Sequence, residues 1–199
     1  LSTAIGKLES RSSVEVVVAV APQSGSYREI DAQNGFVFAM LLLIVAVHSP
    51  WDFDPDMLLF WLVLGYAFGM FLSTRWARLR RLWTSPERRR AQVKTQAHAT
   101  FLEQRVHSTR ERSGLLLFLS DFERLGAFVP DLGVEATLPR AELNNLESVW
   151  GQAKTQAEFE QSVLQGLESL VQPLATALPR RDDDENELSN EVIVTGGRR

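Results

Sequence analysis

Phe36-Val-Phe-Ala-Met-Leu-Leu-Leu-Ile-Val-Ala-Val47 is twelve residues without one charged or hydrogen-bonding side chain. It forms the centre of a charge-free run of 20 residues, Ala32–Trp51, set between Asp31 and Asp52. A second charge-free run, Met57–Thr74, covers 18 residues between Asp56 and Arg75. A helix rises ~1.5 Å per residue, so about 20 residues cross a hydrocarbon core ~30 Å thick. The twelve apolar residues alone would fit a buried core helix equally well, so the flanks decide. Neither run carries the polar stripe that a surface helix of a globular domain shows. Trp51, Trp76 and Trp83 flank the runs where an interfacial belt would put them. The connector His48–Asp56 holds three aspartates and no lysine or arginine, whereas Arg75, Arg78, Arg80, Arg81, Arg88, Arg89, Arg90 and Lys94 follow the second run. The positive-inside rule then places the connector outside and both flanks in the cytoplasm. The expectation is an integral membrane protein with spans 32–51 and 57–74, in a bacterial-type inner membrane.

Averages conceal this partition. The chain has 199 residues, 21 Lys+Arg, 25 Asp+Glu and a net charge of −4. With 45% apolar residues it is not a disordered chain. It has no cysteine, which excludes disulfides, thiolate metal sites and cysteine nucleophiles. It opens on Leu1 rather than methionine, so a native start further upstream is expected.

Outside the runs, Val14-Glu-Val-Val-Val-Ala-Val20 is too continuously apolar for a strand with a wet face, and reads as central in a sheet. Its own flank of about 30 residues is too short to cover it. The later flank supplies partners. Thr84-Ser-Pro-Glu87 starts a helix that runs to about Thr109, and Gly114–Ser120 reads as a second buried strand. Asp121–Arg124 is a tight turn into a third strand, Leu125–Val129, antiparallel to the second. Helices follow from Pro139 to about Lys154 and from Thr155 onward, and Ser26/Glu29 and Thr155/Glu158 fit capping boxes. Residues 180–199, with Asp182, Asp183, Asp184, Glu185 and Glu187, read as an acidic disordered tail. The organisation is therefore one α/β domain, 1–31 with 84–179, interrupted by a hairpin at 32–74 and a basic juxtamembrane segment at 75–83.

The blocks Glu15–Val20, Thr109-Arg110-x-Arg112, Gly114–Ser120, Glu123-Arg124 and Asp131-x-Gly133 resemble the TPM domain family. That family includes thylakoid-lumen proteins linked to photosystem II repair and bacterial membrane proteins with an inserted hairpin. Asp184-Glu-Asn-Glu-Leu188 also resembles the tail of such bacterial members. The resemblance implies an α/β/α sandwich with a small mixed sheet. It also implies two activities described for relatives, a phosphatase-type hydrolysis and the binding of calcium by acidic residues.

Ser24, Ser120, Asp121 and Glu123 fall at strand ends, where α/β sheets place ligands. They are the candidate metal or anion residues, although turn and capping chemistry accounts for each of them. No cofactor is read from the residues themselves. Arg75, Arg78, Arg80, Arg81, Arg88, Arg89 and Arg90 are the candidate contacts to lipid headgroups, with Trp51, Trp76 and Trp83 at the interface. Eleven Lys/Arg against three Glu between Arg75 and Arg112 would suit nucleic acid, but their place directly after a span favours the bilayer. The leading expectation is a membrane-anchored, non-catalytic module that binds another membrane or membrane-associated protein. A metal-dependent phosphomonoesterase is second, and a sensor of anionic lipid is third.

Overall fold

The computed structural model describes residues 2–50, 54–180, 188 and 192–196. The chain forms two compact units, Leu1–Gly25 with Arg90–Arg199, and Ser26–Arg89. The fold is mixed α/β, with one small mixed sheet and, among the described residues, eight α-helices.

In the first unit the sheet order is β3-β2-β1-β4. Strand β1 (Glu15–Ala21) lies parallel to β2 (Gly114–Ser120), in register from Glu15↔Gly114 to Ala21↔Ser120. Strand β3 (Leu125–Pro130) returns antiparallel to β2 through a turn in which Arg124 takes a left-handed φ of 50°. Successive side chains of a strand point to opposite faces, and the two faces carry separate apolar clusters. Val16, Val18, Leu115, Leu117 and Phe128 pack with residues of α1 (Ser2–Glu9), α6 (Leu132–Thr137), α7 (Arg140–Trp150) and α8 (Gln156–Ala177). Val17, Ala19, Leu116, Phe118 and Ala127 pack with Val93, Ala97 and Phe101 of α5 (Pro86–Glu103), and with Val106. Covering on both faces is why valine and leucine run on without a polar alternation. Trp150 sits so close to Gly126 that a Cβ there would lie 2.6 Å from its ring. The outer edge of β3 is closed by side chains. The Phe128 N–H donates to Glu147 at 2.9 Å, and Arg140 donates to the Phe128 carbonyl at 2.9 Å.

Several expectations are corrected. Residues 180–199 are not simply a tail, because β4 (Ile193–Val194) adds parallel to β1, opposite Ala19 and Val20. The five acids Asp182–Asp184, Glu185 and Glu187 lie outside the described residues, as does Trp51. The helix expected to reach Thr109 stops at Glu103, where Arg105 turns left-handed (φ 53°), and one 3-10 turn, Val106–Ser108, follows. Helix α6 appears where only a strand end was read, and the Asp131 carboxylate caps it by accepting from the Leu132 N–H. Ser26 caps nothing: α2 (Arg28–His48) begins after Tyr27 with no side-chain cap. At α8 the Thr155 hydroxyl does accept from the Glu158 N–H, but the Glu158 carboxylate reaches the Lys154 N–H instead. That bond holds the Glu158 carboxyl below its ordinary value, so its contribution to the cap is present at neutral pH and is lost as acid protonates it.

The second unit holds α2, α3 (Pro55–Arg75) and α4 (Ala77–Trp83). Arg28–His48 and Met57–Arg75 are long and apolar enough to cross a membrane, with mean hydropathies of 1.9 and 1.8. They meet through small residues. A Cβ on Gly69 would lie 2.7 Å from Phe38, and one on Gly35 would lie 2.8 Å from the Tyr66 carbonyl. Gly35-x-x-x-Ala39 faces Gly65-x-x-x-Gly69, the spacing that lets helix backbones approach in lipid. Burial is inverted relative to a soluble pair. Phe36, Val45, Val47, Leu59, Val63 and Phe71 are all more than half exposed, whereas Asp31, Asn34 and Ser73 are buried. The division at Gly25/Ser26 and Arg89/Arg90 puts residues 26–31 and 84–89 with the helices.

Phe118 has no exposed surface. Phe118→Ala lowers stability by about 3–5 kcal/mol, measured by urea titration of tryptophan fluorescence in detergent; a loss under about 1 kcal/mol contradicts the two-faced core.

Candidate functional site

β1 and β2 end side by side, and the turns that follow them are tied together. The Asp121 N–H donates to the Ala21 carbonyl and the Phe122 N–H to the Pro22 carbonyl, both at 3.0 Å. Between the turns lies Glu123, 1% exposed. Its carboxylate accepts from the Ser24 N–H at 3.1 and 3.3 Å and from the Ser120 hydroxyl. A carboxylate can be buried there only because donors surround it. The buried Ser24 hydroxyl itself has no hydrogen-bond partner. Three of the four candidates, Ser24, Ser120 and Glu123, are thus brought together as a clamp on the strand ends, and Ser24 takes part through its backbone.

Asp121, the fourth, is exposed and belongs elsewhere. It lines a pocket of about 330 Å³ with Val20 and Leu119 from the strand ends and Gln156, Phe159, Glu160, Val163 and Leu164 from the first turns of α8. A second cleft, of about 220 Å³, runs along Leu125 and Gly126 between Arg90 and Lys94 of α5 and Asn144 and Ser148 of α7.

Calcium takes six to eight oxygen ligands. The strand-end residues do not fit it: Glu123 is engaged by two donors, and among the described residues no group of three or more His, Asp or Glu could hold a metal ion. His48 bonds the Ile44 carbonyl at 3.0 Å, and His107 leans on the Phe101 ring.

The basic residues divide. Arg80 is not free for lipid headgroups. It makes a two-pronged bridge to Asp31, from Nε at 2.7 Å and Nη2 at 2.6 Å, and its side chain is 16% exposed. Ser73 donates to the same carboxylate at 2.7 Å and accepts from Asn34 at 2.9 Å. Arg88 pairs with Glu29 at 2.7 Å in an exposed bridge of small energetic weight. Arg75, Arg78 and Arg90 are exposed, Arg81 and Arg89 half-buried, and Trp76 and Trp83 exposed. The polar seam of Asp31, Asn34, Ser73 and Arg80 escaped sequence reasoning. Its signal was the small-residue spacing beside it, since a close helix pair buries whatever polar groups adjoin the contact.

Glu123→Ala orphans the Ser24 N–H and the Ser120 hydroxyl and destabilises by about 1–3 kcal/mol, whereas Ser24→Ala leaves stability unchanged or raises it. Denaturant melts of the two variants check this, and equal effects contradict the clamp. No protein-family model matches the chain, and no curated protein matches it. Among solved structures it is similar to the BA42 protein from the psychrophilic bacterium Bizionia argentinensis sp. nov., determined by NMR. The TM-score is 0.55 at 14% identity, over 98% of this chain and 89% of that one, a likeness that concerns the fold alone.

Proposed function

We propose that this chain is a membrane-anchored, non-catalytic accessory module of the TPM type, whose α/β/α sandwich binds another membrane or membrane-associated protein. The hairpin α2–α3 crosses a bacterial-type inner membrane twice, with the sheet and both termini on the cytoplasmic side. The observation that carries the anchor is the inverted burial of the hairpin, with large aliphatic and aromatic side chains outward and Asp31, Asn34 and Ser73 inward. Water would penalise that arrangement at about 25 cal/mol per Å² of exposed apolar surface, whereas lipid is indifferent to apolar surface and penalises unpaired polar groups. The orientation is supported by exposed Arg75 at the end of α3, by exposed Arg78 after it and by Asp54 preceding it.

An accessory role is supported by what occupies the strand ends. Of the two carboxylates at the strand ends, Glu123 is engaged in joining two turns. The α/β unit is firmly cored on both faces of its sheet. A sturdy domain on a membrane anchor suits presentation of a surface to a neighbour.

Because the chain has no cysteine, single cysteines report position cleanly. Cysteines at Asp54 and Gln165 label from opposite sides of sealed inverted vesicles, Gln165→Cys from the cytoplasmic side; same-side labelling overturns the topology. Cross-linking followed by pull-down in mild detergent recovers a stoichiometric partner, and recovery of none overturns the accessory role.

A further inference from the structure

We propose that the pocket beyond the carboxyl ends of β1 and β2 receives the side chain of an arginine or lysine presented by the partner protein, an inference that rests on the accessory reading above. The pocket measures about 330 Å³, the small end of the range for ligand sites. Val20, Leu119, Phe159 and Val163 give it apolar walls, and its two acids, Asp121 and Glu160, are both exposed. Glu160 accepts one hydrogen bond, from Gln156 at 3.3 Å. Among the described residues the Asp121 carboxylate has no hydrogen bond or ion pair.

Apolar walls with acids exposed to solvent complement one kind of side chain, a methylene stem that ends in a cation. The same two acids repel a phosphoryl or carboxylate group, and a neutral apolar wedge leaves them unmatched. The setting adds preorganisation. Asp121 projects from a turn whose N–H groups are bonded to Ala21 and Pro22, and the Glu123 clamp holds the neighbouring turn in place. Little ordering is then needed when a basic residue docks. The location matches the general preference of open α/β sheets for ligands beyond the carboxyl ends of strands.

The probes are N-acetyl-arginine methylamide and its uncharged counterpart, N-acetyl-citrulline methylamide, titrated against the full chain in detergent with methyl NMR detection. The arginine probe shifts the Val20, Leu119 and Val163 methyls saturably, and the citrulline probe binds roughly fivefold or more weakly. Asp121→Asn with Glu160→Gln, two exposed positions outside the core, abolishes that preference. Equal binding of the two probes, methyls that do not respond, or an unchanged preference in the double variant overturns the proposal. The same variant separates this claim from its parent in the partner pull-down. Recovery by wild type and loss in the variant supports the pocket. Equal recovery sinks the pocket and leaves the accessory role standing, and recovery by neither sinks both.

Discussion

β1 and β2 lie side by side from Glu15↔Gly114 to Ala21↔Ser120, yet their ends are 99 positions apart along the chain, as the bond from Ser24 to Glu123 measures. Everything else in the α/β unit follows from that pairing. A strand as apolar as Val16–Ala19 needs cover on both faces, and its own N-terminal segment contributes only α1. The remaining cover comes from beyond the insertion, from α5 on one face and from α6, α7 and α8 on the other. The entropy of closing a loop grows only with the logarithm of its length, so a long insertion between paired strands costs little more than a short one. The Glu123 clamp joins the turns that follow both strands.

The two units obey opposite solvent logic. The α/β unit hides leucine, valine and phenylalanine around a sheet and shows charge outside. The helical pair shows its aromatics and aliphatics and hides a bridge of Asp31, Arg80, Ser73 and Asn34. Buried ion pairs add little net stability over apolar contacts but are costly to break. Asp31 and Arg80 pair beside the apolar lengths of α2 and α3.

Much of this was legible in the residues. The three strands announced themselves because buried strands tolerate no polar alternation, and the turn at Asp121–Arg124 because turn chemistry is local. Hydropathy marked both long helices. What stayed hidden depended on long-range partners. Ile193 and Val194 form a strand only because the edge of β1 offers hydrogen bonds, and their acidic neighbourhood pointed elsewhere. Ser26 and Glu29 had the spacing of a capping box, but helix α2 starts too late for it. Arg80 looked like one more cation in a basic run until Asp31, far away in sequence, claimed it. At the strand ends, residue type located Ser24, Ser120, Asp121 and Glu123, but not that Glu123 faces inward and Asp121 outward. Composition cannot decide which way adjacent turn residues point.

The central claim is that one sheet is assembled from both sides of the inserted hairpin. Hydrogen exchange of the full chain in lipid nanodiscs tests it directly, comparing wild type with Leu117→Ala in β2. A single cooperative unit loses protection at Val16–Val18 and at Leu115–Phe118 together and by the same amount. Amides of β1 that exchange freely, or that keep their protection while those of β2 open, would contradict it.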